Sequence, residues 1–342
     1  MKYKILGKSG LRVSELCLGT MTFGESWNWG TTTSLANEIL KKFTDLGGNF
    51  IDTSNNYTDG KSEEIIGSFI KEDRDRYIVA TKFTLQNKKY NDNLNMGGNH
   101  RKNLFRSVKE SLKRLQTDFI DLLYLHMWDY TTPIDQIMKT LNDLVASGKV
   151  HHVAISDSPA YIASRGNAVA EYRGWSQFEA YQFPYSLVER EPEREVMPFS
   201  KEFGLTMTPW GILDAGLLSG KYTRKKNATG RLSEGKWGNP REEQLNYARE
   251  VDKVADELGY TSAQVAIAWV RQQASNIIPI LGFSNPDQLM ENYESFSITL
   301  PEEKVEQLNN VRDTGLGFPI DFLKSPGVIN LIFGKDYDKL QF

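Results

Sequence analysis

The sequence lacks the features that mark several large classes of protein. It has one cysteine, Cys17, so no disulfide can form within the chain, and a reducing compartment is expected. No apolar run approaches the ~20 residues that a membrane-spanning helix needs. The opening MKYKILGKSG also lacks the apolar region of a signal peptide. We therefore predict a cytoplasmic protein in which Cys17 is a buried structural thiol.

An excess of positive charge is also absent. The 41 Lys and Arg residues face 44 Asp and Glu residues, which gives a net charge of -3. Proteins that bind nucleic acid or anionic membrane surfaces carry basic patches or stripes. We therefore expect neither nucleic acid nor a membrane as a partner. The hydrophobic fraction of 39% and the charged fraction of 25% are those of a globular protein.

Short apolar runs alternate with helical patterns along most of the chain. The predicted strands are ELCLG, NFIDT, YIVAT, FIDLLYLH, VHHVAIS, FEAYQF, LTMTPW and IIPILG. A stripe at helical spacing between two of them consists of Ile134, Ile137, Met138, Leu141, Leu144 and Val145. Eight β/α units predict a parallel (β/α)8 TIM barrel, because closure at eight strands removes both edges of the sheet.

The remaining segments are predicted to surround this barrel. YKILGKSGLRVS is typical of a β-hairpin that plugs the bottom of the barrel. No linker or low-complexity stretch is evident, so residues 1–342 are predicted to form one domain with extended loops at the C-terminal face. Residues 214–240 are rich in Gly, Lys and Asn and predict a long mobile loop. No structure is predicted for residues 314–342, which lack a clear period.

Side chains suited to acid–base chemistry stand where three successive predicted strands end. Asp52 ends the second run and Tyr57 follows it, Lys82 ends the third run, and His126 ends the fourth. Active sites of parallel barrels lie at the C-terminal ends of the strands, so we expect these side chains to meet. Taken singly, each residue also fits a structural role, such as a turn cap, a snorkelling lysine or a hydrogen-bonded histidine.

These four residue types suit the reduction of a carbonyl group. Hydride transfer to the carbonyl carbon leaves negative charge on oxygen, which then needs a proton donor and hydrogen bonds. Tyr57 is the predicted donor, and Lys82 is the predicted cation that lowers the pKa of its phenol. Asp52 is expected to hold Lys82, because an unpaired buried charge is costly. His126 is expected to point a ring N–H at the substrate oxygen.

Seven motifs in this order resemble those of the aldo-keto reductase superfamily, to about residue 313. They are NFIDTSNNY, ATK, LLYLHMWD, HVAISDSPAY, YQFPYSLVER, GLLSGKY and LGFSNPDQLMEN. LHMWDYTTPID and SDSPAY are most similar to the aryl-alcohol-dehydrogenase-like branch, and potassium-channel beta subunits are more distantly similar. The resemblance implies a (β/α)8 barrel, NADP(H) bound without a Rossmann fold, and reduction of aldehydes or ketones to alcohols. It also implies a catalytic tetrad of Asp52, Tyr57, Lys82 and His126.

The resemblance further implies where the cofactor binds. Ser156, Asp157 and Gln182 match positions that grip the nicotinamide carboxamide, and Trp210 matches a ring that stacks on the nicotinamide. Much of the superfamily has asparagine at position 157, and an ionised aspartate there can accept hydrogen bonds but cannot donate them. The other implied contacts, to the phosphates and the adenosine end, are Gly211, Leu213, Lys221, Arg231, Gly282, Ser284, Gln288, Glu291 and Asn292.

Two departures from the family pattern concern the phosphates. The common Trp-Ser-Pro-Leu is here Trp-Gly-Ile-Leu at residues 210–213, which removes one hydroxyl contact to the diphosphate. Gln288 stands where many relatives carry an arginine on the 2'-phosphate. A preference for NADPH over NADH therefore rests on Lys221 and Arg231, for which solvated loop charges are the alternative interpretation. GFSNPDQL predicts a turn into a helix N-terminus, which favours an anion.

Two other functions fit parts of the sequence. Tyr57 and Lys61 spell the Y-x-x-x-K pair of short-chain dehydrogenases, but Asp59 and Gly60 between them predict a turn instead of one helical face. No G-x-G-x-x-G follows the first strand either, so we reject this interpretation. A cofactor-loaded regulatory module similar to the channel beta subunits is the alternative to an enzyme.

Three tryptophans in loops are candidates for the substrate pocket. Trp27, Trp29 and Trp128 are predicted to wall an apolar site for aromatic or medium-length aldehydes, with packing on the barrel rim as the alternative. His100 and the pair at 151–152 lack acids or thiols at metal-ligand spacing, so no metal is predicted. The oligomeric state is not predicted.

Overall fold

An antiparallel hairpin at the N-terminus covers one end of the molecule. The computed structural model describes residues 1–27, 30–87, 92–225, 230, 232, 238–312 and 315–340. In it, β1 (Tyr3–Ile5) pairs with β2 (Arg12–Ser14), as predicted. Gly7 in the turn donates its backbone N–H to Thr206 Oγ1 at 2.7 Å. The hairpin is thereby tied to the residues that begin a barrel strand.

Eight parallel strands form the predicted barrel. They are β3 (Cys17–Gly19), β4 (Phe50–Asp52), β5 (Ile78–Phe83), β6 (Ile120–Leu125), β7 (Val150–Ser156), β8 (Phe178–Pro184), β9 (Thr206–Trp210) and β10 (Ile280–Leu281). β10 pairs with β3, and each of β3 to β8 pairs with the next strand in the chain. The ring closes between β9 and β10, where Met207 N donates to Asn276 O at 3.0 Å and Ile278 N donates to Met207 O at 2.8 Å. The (β/α)8 prediction is confirmed.

Helices surround the strands and continue into the C-terminal tail. They are α1 (Thr33–Asp45), α2 (Lys61–Ile70), α3 (Arg101–Leu115), α4 (Ile134–Ala146), α5 (Ala160–Arg173), α6 (Val196–Phe203), α7 (Lys221–Arg224), α8 (Glu242–Leu258), α9 (Ser262–Gln272), α10 (Pro286–Glu294), α11 (Glu302–Asn309), α12 (Ile320–Lys324) and α13 (Pro326–Phe333). The apolar stripe predicted on α4 is buried against the sheet, with Val145 at its margin. Among the described helices, none is long and apolar enough to cross a bilayer.

Two apolar layers lie on opposite faces of the barrel strands. The smaller layer includes Leu122 and Tyr124 of β6, which pack with Leu6 and Val13 of the hairpin segment. The larger layer joins the outer faces of the strands to the helices. Cys17 belongs to the smaller layer and is fully buried, as predicted. Burial raises the pKa of this thiol well above its usual value, and the charge of Asp52 adds to the effect.

The segment after β9 is more ordered than its composition indicated. Residues 214–240 were expected to form a long loop, but Asp214–Ser219 form a 3-10 helix and α7 follows directly. The prediction is wrong for this part because Leu217 and Leu218 are buried in the outer core and anchor the backbone. Residues 226–229, 231 and 233–237 lie outside the described residues.

Arginine side chains join the loop after β8 to the segment that follows α11 and to the start of the C-terminal tail. Arg190 donates to Asn309 O at 2.5 Å, and Arg194 donates to Leu316 O. Arg312 donates in the opposite direction, to Val188 O at 2.5 Å. Beyond these contacts, α12 and α13 carry exposed apolar side chains, of which Leu331 is 85% exposed.

Candidate active site

Four side chains from the ends of neighbouring strands meet at one end of the barrel. Asp52 is the last residue of β4, Lys82 lies near the end of β5, and His126 follows β6. Tyr57 opens the 3-10 turn Tyr57–Gly60, which leads into α2. The strands are parallel and hydrogen-bonded in this order, so their C-terminal ends meet as the sequence predicted.

Lys82 is the centre of the group. Its ammonium donates to Asp52 Oδ1 at 2.5 Å, to Thr53 O at 2.9 Å and to the Tyr57 hydroxyl at 3.2 Å. An ammonium has three protons, so these bonds use all of them. Burial is the largest single cause and lowers the pKa of Lys82, but the charges and hydrogen bonds of Asp52 and Tyr57 together outweigh it, so the net pKa is raised. Lys82 is therefore a fixed cation beside the phenol.

Asp52 is held from its other side by Gln182. The Gln182 side chain donates Nε2–H to Asp52 Oδ2 at 3.0 Å, and both residues are buried. The resemblance assigned Gln182 to the cofactor carboxamide, whereas the structure joins its amide nitrogen to the Asp52 carboxylate. Asp52 thus accepts a hydrogen bond on each oxygen, which fixes the position of Lys82.

Tyr57 has a raised pKa, contrary to the expectation that Lys82 would lower it. Desolvation of the phenol is the largest cause and raises the pKa, while the Lys82 charge opposes it and is outweighed. The phenol is therefore protonated throughout the neutral pH range, as a proton donor must be. The two residues after it, Thr58 and Asp59, have left-handed φ values of 47° and 59°. This turn keeps Lys61 off a common helical face with Tyr57, and Lys61 instead pairs with Glu64 at 3.1 Å.

His126 is buried and neutral. Burial, with the nearby charge of Lys82, holds the pKa of its imidazole well below the usual value. Its ring lies 6.0 Å from the Tyr57 ring, centroid to centroid, in an edge-on arrangement. Nδ1 lies 3.2 Å from Ser54 Oγ. Ser54 stands inside the motif NFIDTSNNY, but nothing in the sequence indicated this contact.

Thr84 holds the backbone of His126 through a hydrogen bond, and the sequence did not indicate this contact either. Its Oγ1 accepts from His126 N at 3.3 Å and donates to Asn99 Oδ1 at 2.6 Å. Thr84 has a φ of 95°, a conformation that strains a β-branched residue. The side chain of Asn99 in turn donates to Met127 O at 3.0 Å, so one buried network holds both sides of the histidine.

A second group of polar residues lies at the ends of β7 and β9. Trp210 donates Nε1–H to Asp157 Oδ1 at 3.3 Å, and its ring is 37% exposed. Ser156 is fully buried, and its hydroxyl makes no hydrogen bond of normal geometry to the described residues. Desolvation raises the pKa of Asp157 to about 6, although the Trp210 hydrogen bond and Lys82 act against it.

The turn before α10 has the predicted form of a helix N-terminus. Asn285 caps the helix by accepting from Gln288 N at 2.8 Å, and Gln288 Oε1 accepts from Ser284 N at 2.8 Å. Gln288 therefore bonds within its own turn, which an arginine could not do because a guanidinium has no acceptor. Close by in sequence, Gly282 and Glu291 are exposed and Asn292 is buried.

Comparison with known proteins decides the family. The profile of the Aldo/keto reductase family matches residues 15–313. The chain belongs to this family. It is 39% identical over 336 residues to aryl-alcohol dehydrogenase GME11368 of Pestalotiopsis microspora, covering 96% of this chain and 86% of that protein. It is 36% identical over 333 residues to the norsolorinic acid reductase of Aspergillus flavus (94% and 84% covered). It is 38% identical over 332 residues to norsolorinic acid reductase B of Aspergillus parasiticus (92% and 85% covered).

Membership of the family fixes the general activity. An aldo/keto reductase is an oxidoreductase that reduces carbonyl groups, so this chain is an enzyme with a small-molecule substrate. The resemblance read from the motifs, including the aryl-alcohol-dehydrogenase-like branch, is confirmed. Aldo/keto reductases use nicotinamide cofactors.

The residues at the ends of β7 and β9 fit such a cofactor. The buried Ser156 hydroxyl lies near Asp157 but makes no hydrogen bond of normal geometry to the described residues, and a carboxamide can supply one. The half-exposed Trp210 ring offers an apolar face beside it. Lys221, which was predicted to contact the phosphates, begins α7 and is exposed. Gly211 has a left-handed φ of 72°, which favours glycine where relatives have serine, and the partly buried Leu213 packs on the core. Arg231 lies outside the described residues.

The loop tryptophans and the remaining histidines have different surroundings. Trp27 packs edge-on against Tyr57 with ring centroids 6.5 Å apart, whereas Trp128 packs on the core and against Tyr130. Trp29 lies outside the described residues. His151 stacks on Phe119 at 4.6 Å, and the described part of the chain contains no cluster of three or more potential metal ligands.

Proposed function

We propose that the enzyme is an NADPH-dependent reductase of aldehydes or ketones in which Tyr57 gives the proton. The observation that carries the proposal is the position of the Lys82 ammonium, which bonds the Tyr57 hydroxyl and the Asp52 carboxylate at the same time. This arrangement places a fixed positive charge where a phenol must lose its proton. His126 stands edge-on to the same phenol.

The protein side of the reaction follows from these contacts. Bound NADPH supplies the hydride that reduces the carbonyl carbon. As negative charge develops on the substrate oxygen, Tyr57 donates a hydrogen bond to it and then transfers the proton. Lys82 stabilises the phenolate that remains, and Asp52 and Gln182 keep Lys82 in place. The raised pKa of Tyr57 holds the donor in its protonated form before the reaction.

The cofactor is proposed to lie along the strand ends from β7 to β10. Ser156 and Asp157 would contact the nicotinamide carboxamide, with Gln182 at its edge, and Trp210 would stack on the ring. Lys221 and Arg231 would contact the phosphates with the backbone of Gly211 and Leu213. The adenosine end would rest on Gly282, Ser284, Gln288, Glu291 and Asn292. The buried Ser156 hydroxyl supports the first of these contacts, and the capped N-terminus of α10 supports the last.

Aromatic aldehydes are the proposed substrate class. Trp27 lies against Tyr57 and offers an apolar wall at the point where the carbonyl must bind. Trp29 and Trp128 were predicted to complete this wall. The similarity to an aryl-alcohol dehydrogenase supports an aromatic substrate.

The proposal is tested by the wild-type enzyme and Tyr57→Phe together. NADPH oxidation is measured with benzaldehydes and short aliphatic aldehydes, and NADPH binding is measured by fluorescence titration. Tyr57→Phe should lose turnover by orders of magnitude with an unchanged Kd for NADPH, because only the proton donor is removed. Tyr172→Phe, at a side chain that is 86% exposed, is the control and should behave as wild type.

Three results would contradict the proposal. Turnover retained in Tyr57→Phe would remove the donor role. Tight NADPH binding by the wild type without turnover of any aldehyde or ketone would favour a regulatory module. Failure to bind NADPH would overturn the cofactor assignment.

A further inference from the structure

Glu63 is a fully buried acidic residue outside the four catalytic candidates. It lies in the first turn of α2 and is 0% exposed. One carboxylate oxygen, Oε1, accepts from Thr81 Oγ1 at 2.6 Å, and the other, Oε2, accepts from Arg114 Nε at 2.6 Å. A buried carboxylate is costly unless it is paired, so these two contacts fix the position of the Glu63 side chain.

The bond to Thr81 joins α2 to the strand that carries Lys82. Thr81 immediately precedes Lys82 in β5, so the two side chains point to opposite faces of the strand. On one face the Lys82 ammonium bonds Tyr57, and on the other the Thr81 hydroxyl bonds Glu63. Tyr57 precedes Glu63 by six residues. The Tyr57–Lys82 bond and the Glu63–Thr81 bond therefore link the same two segments of the chain.

Arg114 holds the turn that begins at Tyr57. Its side chain lies directly on Gly60, where an added Cβ would stand 2.8 Å from Arg114 Cδ. Gly60 ends this turn and has a φ of 93°, a conformation that favours glycine. Because the Glu63 carboxylate binds Arg114 Nε, the place of the guanidinium over Gly60 depends on Glu63.

The contact between Tyr57 and Lys82 tolerates little displacement. Among the residues that the structure describes, Lys82 is the one hydrogen-bond partner of the Tyr57 hydroxyl, at 3.2 Å. A separation of about 3.6 Å is no longer a hydrogen bond, so a shift of roughly 0.4 Å between α2 and β5 would end the contact. The other two bonds of Lys82 go to Asp52 and Thr53 and do not restrain Tyr57.

We infer that Glu63 is a positioning residue that holds the Tyr57 hydroxyl within hydrogen-bond reach of the Lys82 ammonium by binding Thr81 and Arg114. The inference rests on the proposed function for the role of Tyr57. Glu63 acts through the turn and the strand and not on the substrate. Without its negative charge the turn should move away from β5, and Lys82 would then stabilise the phenolate less well during the reaction.

Two changes of a single heavy atom break the two sides of this arrangement. Glu63→Gln keeps an oxygen for Thr81 but presents an amide N–H to Arg114, so two donors face each other. Thr81→Val replaces the donating hydroxyl by a methyl group of similar size. Each variant should lower kcat for aldehydes by roughly tenfold, the size expected for one lost hydrogen bond to a charged group, with an unchanged Kd for NADPH.

Glu64→Gln and Thr81→Ser are the matched controls. Glu64 is the next residue along α2, but it pairs with Lys61 at the surface, where the two side chains are 52% and 49% exposed. Serine keeps the hydroxyl that Glu63 accepts from. Both controls should have the kcat of the wild type.

The direct readout is the 13C chemical shift of Tyr57 Cζ in the full-length protein labelled at tyrosine Cζ and kept at neutral pH. The chain has 15 tyrosines, and Tyr57→Phe identifies the signal by its loss. The double variant Asp52→Asn/Lys82→Met gives the signal of the phenol without its ammonium partner. Glu63→Gln and Thr81→Val should move the Tyr57 signal toward that position, and the two controls should leave it in place. General loss of structure would instead move many tyrosine signals.

The outcomes separate this inference from the proposed function. An unmoved Tyr57 signal in folded Glu63→Gln would overturn the inference, as would a loss of kcat accompanied by an equal loss of NADPH affinity. If Glu63→Gln does not fold, Thr81→Val decides in the same way. The spectra need no turnover, so they still test the inference if Tyr57→Phe proves active, a result that would refute the donor role alone.

Discussion

Lys82 and Asp52 form an ion pair that is closed to solvent, with 2.5 Å between Nζ and Oδ1 and side chains that are 0% and 4% exposed. Removing one partner of such a pair leaves an uncompensated buried charge. We expect Asp52→Asn to lower the free energy of unfolding by about 3–5 kcal/mol, measured by urea denaturation. The double variant Asp52→Asn/Lys82→Met should recover part of the lost unfolding free energy, because the unpaired buried cation is no longer present.

The matched control for this pair is on the surface. Lys41 and Asp45 are joined at 2.6 Å, but their side chains are 72% and 56% exposed. Asp45→Asn should cost no more than about 0.5 kcal/mol. Equal costs for Asp45→Asn and Asp52→Asn would show that burial of the Lys82–Asp52 pair has no energetic consequence.

Asp157 should make stability depend on pH. Its pKa is raised from 3.8 to about 6 in the folded protein, so the folded state binds this proton more tightly than the unfolded chain does. Stability is therefore lost as pH rises from about 4 to about 6, by at most about 3 kcal/mol. Asp157→Asn should raise Tm at pH 7.5, and the gain should shrink at pH 4.5. A gain of equal size at both pH values would show that the titration of Asp157 is not its cause.

The hydroxyl of Thr84, and not its methyl group, should support both the stability of the protein and its activity. Thr84→Ala removes the bonds to His126 N and Asn99 and leaves a buried carboxamide oxygen unpaired. We expect a loss of about 1–3 kcal/mol in unfolding free energy together with a lower kcat. Thr84→Ser keeps the hydroxyl and is the control, with kcat near wild type. A large loss in Thr84→Ser would assign the role to the methyl group instead.

Trp27 should determine the preference for aromatic substrates. Its ring meets the edge of Tyr57, so Trp27→Ala should remove apolar contact from a bound aromatic ring. We expect kcat/KM for benzaldehydes to fall by about tenfold or more, with little change for short aliphatic aldehydes. Tyr172→Ala, far out on the surface, should leave both values unchanged. An equal fall for the two substrate classes would point to damage at Tyr57 itself.

The fold and the four catalytic candidates were readable from the sequence because both depend on local pattern. Each strand is a short apolar run, and in a parallel barrel the residue that ends a run must face the same end as its neighbours. The pattern alone therefore places Lys82 and His126 together. The same reasoning could not find Ser54 or Thr84, because their hydroxyls act through side-chain directions that only the folded loops define.

The electrostatics of the site could not be predicted from the sequence either. Whether the pKa of Tyr57 is raised or lowered depends on the balance between desolvation of the phenol and the charge of Lys82. That balance is set by how the site is packed. The bond from Gln182 to Asp52 crosses the barrel interior and has no signature in either motif. The start of the tail is held at Leu316 by Arg194, and the carbonyl that accepts this hydrogen bond cannot be identified from the sequence.

The closure of the barrel has a consequence for how the chain folds during synthesis. The first barrel strand, β3, lies between β4 and β10, so one of its edges stays unpaired until Ile280 and Leu281 have been made. A contact between such distant parts of the chain forms late, because the loop entropy must be overcome first. The nascent chain therefore carries an open sheet edge until Ile280 and Leu281 have been synthesised, and such an edge can pair with another chain until then.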